Sequence, residues 1–208
     1  MNLRTKQPMR HSSKITDRSL FRTIASSFAE GSRKTAFLTG ICKRAILGQK
    51  DIYNPIYLYG EPEKVSRAMD VISTGWGMLH GEAQLYRTSG DVFFSDFVQE
   101  IRKGGDEVDS FIAAIPKRGL LIFEGFEAIA GKEASLRVFY GLFDALYEHG
   151  GQILIGSIFP PSLLYSLADR VYTQITSGIV YCVDEEDFNS PFEDLEAEGL
   201  HMKKRSPL

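Results

Sequence analysis

The sequence predicts an α/β domain built on a parallel sheet with helices on both faces. Three observations predict it. Short apolar runs of strand length recur at residues 56–59, 83–87, 119–123, 152–158 and 178–183. Stretches with helical spacing of apolar residues separate them. Runs such as Gly119-Leu120-Leu121-Ile122-Phe123 are continuous rather than alternating, as strands buried on both faces are.

Each element has its own signal. Residues 1–18 carry Arg4, Lys6, Arg10, Lys14 and Arg18 against one acid, Asp17, without periodicity, and are expected to form a flexible basic arm. The core is expected over 19–183. Across 32–47, Ala36, Phe37, Gly40, Ile41 and Ala45 recur at helical spacing. The run 56–59 ends at Gly60, a strand entering a turn. Residues 63–79 read as a helix with Val65, Met69, Ile72 and Trp76 on one stripe, and 83–87 as a short second strand. Ser89 or Asp91 caps the next helix. Its apolar face is Phe93, Phe94, Phe97, Val98 and Ile101, with Phe94 off the main stripe, and Gly104-Gly105 ends it. Residues 132–149 form a strongly periodic helix with Leu136, Phe139, Phe143 and Leu146 inward, stopped by Gly150-Gly151. A further helix is expected around 162–169, after Pro160-Pro161. The tail 184–208 is acidic from Asp184 to Glu198, then basic from Lys203 to Arg205, and is expected to be poorly ordered.

Composition sets outer bounds. The 208 residues are 43% hydrophobic and 25% charged, a balance that fits one globular domain with a substantial core. The net charge of −3 gives no global mark of nucleic-acid binding. Cys42 and Cys182 lack metal spacing and are expected to be buried thiols in a reducing compartment. The N-terminal basic residues precede no apolar signal segment, and no run is long enough to span a bilayer. A cytoplasmic location without membrane contact is expected. His80 and His149 read as solvent-facing residues at helix ends.

Ligands of open parallel sheets bind beyond the carboxyl ends of the strands, which directs attention to "NPIYLYGEPEKVSRAMD", residues 54–70. It starts as a phosphate-binding loop does, with a strand and then glycine. It then continues with Glu, Pro, Glu and Lys rather than further glycines.

The pieces "YNPIYLYG", "FVQEIRKG", "IAGKE", "FDALYEHGGQILIGS", the pair Pro160-Pro161 and "LADRV" fall in order between Tyr53 and Val171. In this order and spacing the chain resembles the AAA+ core of the bacterial replication initiator DnaA and its shortened relative Hda, over residues 28–183. The resemblance implies a P-loop NTPase-like three-layer sandwich with five parallel strands in the order 5-1-4-3-2. It also implies a bound magnesium nucleotide, and the residues that should hold one are altered. The family's phosphate loop reads Gly-Gly-x-Gly-x-Gly-Lys-Thr. Laid on this sequence, only Gly60 survives; Glu61, Glu63 and Val65 replace the other glycines, Ser66 the lysine and Arg67 the threonine. The glycines free backbone N–H groups to wrap phosphate oxygens, the lysine neutralises them, and the hydroxyl holds magnesium. Here Glu61 and Glu63 would repel a polyphosphate, Pro62 removes an N–H donor, and Lys64 is out of register. At the acidic motif the family's Leu-Leu-Ile-Asp-Asp becomes Leu121, Ile122, Phe123, Glu124, Gly125. Ile158 stands at the polar sensor and Gln174 at the arginine finger.

The expectation is therefore a vestigial phosphate loop (Gly60, Glu61, Lys64, Ser66, Arg67) and a vestigial acid, Glu124, read as a strand-end surface carboxylate. No catalytic residue, cofactor or metal is expected. In "FIAAIPKRG", Ile112, Ala114 and Pro116 replace the family's DNA-contacting basic residues, although Lys117 and Arg118 lie nearby, and no lid or helix-turn-helix is expected past the fifth strand. Sequence-specific DNA binding is not expected. Two functions fit. One is a non-catalytic protein that regulates or assists replication initiation through a protein partner, the initiator, the sliding clamp or a loader; "DRSLF", residues 17–21, is similar to a clamp-binding pentapeptide with Asp17 in place of its glutamine. The alternative is an ATPase with a rebuilt site, Lys64 or Arg67 on the phosphates and Glu124 on magnesium.

Overall fold

The computed structural model describes residues 33–48, 54–103, 119–164 and 167–183. The basic arm, the pentapeptide 17–21, the Gly104-Gly105 stop, residues 111–118 of "FIAAIPKRG" and the acidic tail lie outside them. In chain order the elements are α1 (Arg33–Leu47), β1 (Ile56–Gly60), α2 (Pro62–His80), β2 (Leu85–Ser89), α3 (Gly90–Lys103), β3 (Leu120–Glu124), α4 (Glu133–Glu148), β4 (Gln152–Ser157), α5 (Asp169–Thr176) and β5 (Ile179–Val183).

The five strands form one parallel sheet in the order β2-β3-β4-β1-β5, which is the expected order read from the other edge. β1 lies inside the sheet, with Tyr57 opposite Ile155 of β4 and Val180 of β5. Strand side chains alternate between faces, and the sheet has a core on each. On one face α1 and α2 pack Ile41, Ile46, Met69 and Ile72 over Leu58, Ile122 and Leu154. On the other, α3, α4 and α5 pack Phe93, Phe139 and Ile175 over Tyr57, Phe123 and Ile155. Phe123 is the hub of that second core. Its ring meets Phe93, Phe126 and Phe139 edge-on, with centroids 5.2, 5.9 and 5.0 Å away, each contact adding about 0.5–1.5 kcal/mol beyond the area it buries.

Four expectations need correction. β2 begins at Leu85, because Gly81 at φ 86° leads into a 3-10 turn over Glu82–Gln84 that takes up the residues before it. The helix expected at 162–169 is displaced to Asp169–Thr176. Pro161–Leu163 forms only a 3-10 turn, Ala168 is extended (φ −63°, ψ 144°), and the i, i+4 pair Val171 and Ile175 supplies the buried stripe further along. Cys182 is exposed, unlike Cys42, since β5 is an edge strand that buries Ile179 and Val183 and turns Val180 and Cys182 outward. His80 is half-buried: its ring packs on Trp76 at 4.1 Å, and Nε2 donates to the Ile46 carbonyl at 2.8 Å. His149 is exposed as expected. Phe94 is half-buried beneath the Lys132 ammonium, 3.8 Å from the ring centroid.

Candidate functional site

The carboxyl ends of β1, β3 and β4 meet the start of α2. Gly60 stands at φ 138°, and a Cβ there would lie 2.5 Å from the Val183 carbonyl oxygen, so the turn requires glycine. One residue, Glu61, then separates strand from helix, with Pro62 at the first helical position. The Lys64 and Val65 N–H groups donate to the Glu61 carbonyl at 3.1 and 3.0 Å. The residues that the resemblance lays over a phosphate loop are thus a cap and the first turns of α2. Pro62 has no N–H, and those of Lys64 and Val65 are spent inside the helix rather than turned toward an anion.

Side chains fill the adjoining space. Val65, at a glycine position of the family loop, is 5% exposed. A Cβ on Gly156 would lie 2.3 Å from Met69 Cε and 3.0 Å from Val65 Cγ1, so this glycine lets α2 press directly onto β4. What remains is a cleft of about 190 Å³ between Pro62, Ser66, Glu124, Glu127, Ser157 and Ile158, smaller than the roughly 300–1,000 Å³ of most small-molecule sites.

The polar groups around it hold one another. Ser66 Oγ donates to Glu124 Oε2 at 3.2 Å, and Arg87 Nε donates to Glu124 Oε1 at 2.5 Å. Arg87 Nη1 reaches Asp70 Oδ1 at 2.6 Å. Burial works against the Arg87 charge, but the bonds and charges of Glu124 and Asp70 more than offset it and raise the guanidinium above its ordinary value. The Lys64 ammonium is paired with Glu61. Glu127 Oε2 accepts from Ser157 Oγ at 2.8 Å and from the Ile158 N–H at 3.2 Å. Behind them Tyr57 donates to the Phe159 carbonyl at 2.9 Å, and burial foremost raises its hydroxyl pKa. As arranged, these residues do not fit a magnesium-bound nucleotide. The acid that would hold the metal has both oxygens engaged, the serine at the lysine position is turned onto that acid, and of the turn's N–H groups Pro62 has none and those of Lys64 and Val65 are bonded to the Glu61 carbonyl. Among the described residues no three His, Cys, Asp or Glu side chains group to hold a metal, and no helix is long and apolar enough to cross a membrane.

Of the remaining expected positions, Ile158 lines the cleft, whereas Arg67 and Gln174 are not part of its lining. Arg67 is half-buried on α2, and the Ile158 side chain is 38% exposed. Gln174 faces its own chain: Nε2 donates to Asp144 Oδ1 of α4 at 2.7 Å. Arg170 shares that carboxylate at 3.5 Å and lies over the Tyr140 ring. Sequence reasoning missed Arg87, Asp70 and Glu127. An arginine inside a strand was the one available signal, because its partners stand 17 and 37 positions away.

A sequence profile described as the bacterial DnaA ATPase domain matches residues 22–182. The chain is 30% identical over 192 residues to the chromosomal replication initiator protein DnaA of Acinetobacter baumannii, a match covering 88% of this chain and 40% of that protein. It is 27% identical over 140 residues to DnaA of Francisella tularensis subsp. novicida, covering 67% of this chain and 28% of that protein. The chain thus spans less than half the length of these relatives. The AMPPCP-bound DnaA of Aquifex aeolicus superposes with a TM-score of 0.66 at 20% identity, over 86% of this chain and 55% of that one.

Proposed function

The chain belongs to the family of the bacterial DnaA ATPase domain, and from that premise we propose that it is a non-hydrolysing member. It regulates or assists replication initiation by docking to a protein partner, the initiator or the sliding clamp, as a DnaA- or Hda-like domain in the cytoplasm, without sequence-specific DNA binding. The observation that carries this reading is the turn into α2. Glu61 alone joins strand to helix, Val65 fills the space against Gly156, and Ser66 is bonded to Glu124. Hydrolysis would require these to part. The rebuilt-site alternative would need Lys64 to leave Glu61 and Glu124 to release Arg87. A domain can keep the outer surfaces of its family while losing this chemistry, since surfaces depend on the fold and catalysis on a few side chains.

Two measurements test it. Calorimetry with ATP or ADP and magnesium should show no binding at tens of micromolar; a micromolar dissociation constant weakened by Lys64→Ala or Arg67→Ala would support the rebuilt site instead. Affinity purification of the chain from its own organism should recover the initiator or the clamp. If neither is recovered and neither binds the purified chain at tens of micromolar, the replication role fails.

A further inference from the structure

We infer that Arg87 is an internal cation that takes the place of a bound metal at Glu124, tying β2, β3 and α2 together without a ligand and closing that carboxylate to divalent ions. The inference rests on the reading of the site as one not used for nucleotide.

The geometry is that of a hub. Arg87 leaves β2 and donates through Nε to Glu124 at the end of β3, and through Nη1 to Asp70 of α2. Ser66 and Asp70 are four residues apart on one face of α2, and Ser66 completes the ring by donating to the other oxygen of Glu124. One guanidinium therefore serves two carboxylates from two different elements, a task for which its fork of donors is suited. The Arg87 and Glu124 side chains are 33% and 25% exposed, more sheltered than the surface pairs that contribute almost nothing. Asp70 is more open at 59%. Glu127 lines the same cleft and is occupied by Ser157 and Ile158, so it adds negative charge without competing for the arginine. If Arg87 is removed, Glu124 and Asp70 face each other across the space it filled. Two carboxylates with a hydroxyl beside them are hard oxygen donors of the kind that manganese and magnesium prefer.

The test uses the full chain, with thermal melting and manganese titration at constant ionic strength. Millimolar manganese should leave the wild-type Tm unchanged. Arg87→Met should melt about 3–6 °C lower, recover at least half of that loss in manganese, and lose the recovery when Glu124→Gln is added. If Arg87→Met does not fold, Arg87→Lys is read in its place; it keeps the charge but not the fork, and should show a smaller loss with a smaller recovery. An Arg87 variant that melts as wild type does, or one unmoved by manganese, overturns the inference and leaves the proposed function standing. A wild-type chain stabilised by manganese through Glu124 also overturns it. Tight binding of magnesium ATP by the wild-type chain would instead overturn the proposed function.

Discussion

Ser66 Oγ and Glu124 Oε2 lie 3.2 Å apart, joining the second turn of α2 to the end of β3. By resemblance these positions hold the phosphate lysine and the metal-binding acid of an ATPase. In this chain they hold each other through a hydrogen bond between protein groups.

Val65→Gly would return a glycine to the family's loop position. It should not return nucleotide binding. It removes a buried side chain from between α2 and Gly156 and places glycine inside a helix, at a cost of about 2–4 kcal/mol. Urea unfolding should show that loss, and ATP should give no compensating stabilisation.

Gly60→Ala tests the strand-to-helix turn. At φ 138° a methyl group would meet the Val183 carbonyl oxygen at 2.5 Å. Strain and collision together should cost at least about 2 kcal/mol, felt first as loosening of β5 from β1. Hydrogen exchange at residues 179–183 should quicken more than at β3 in the same variant.

Tyr57 predicts how stability responds to alkali. Burial foremost, with the nearby Glu127 charge adding to it, raises its pKa in the folded state, while the unfolded value stays near 10. The stability from keeping this phenol neutral is complete below pH 10 and is lost as pH rises from there toward the folded value. Tyr57→Phe should lower stability near pH 7 by about 1 kcal/mol through loss of the bond to Phe159. It should also flatten the decline above pH 10. A decline of unchanged steepness would assign the alkaline transition to other groups.

Gln174→Arg restores the residue type of the family's arginine finger. The side chain here lies against Asp144 of its own α4, with Arg170 beside it. The new guanidinium should pair with Asp144, change stability by no more than about 1 kcal/mol, and add no ATP turnover to a mixture with the initiator. A rise in turnover in that mixture would show that this face reaches a neighbour's site.

Much of the fold was legible because it rests on local patterns. The apolar runs at 119–123 and 152–158 and the stripe through Leu136, Phe139, Phe143 and Leu146 are set by burial on both faces of a sheet or one face of a helix, and they lie where expected. Where local pattern was weak, prediction slipped. The prolines at 160 and 161 signalled a helix start but fixed only a 3-10 turn, and an apolar fifth strand hid the fact that its edge position turns Cys182 outward.

The sequence by itself determined the order of elements, the family resemblance, and which residues stand where that resemblance lays the glycines, lysine and second acid of a phosphate site, because each is a property of residue type at a position. Only the tertiary structure decided what replaced them. Arg87, Asp70, Ser66 and Glu124 come together because β2 and β3 pair in parallel and α2 lies across the same face. Contacts between residues as far as 58 positions apart are set by chain packing, and no local periodicity encodes them.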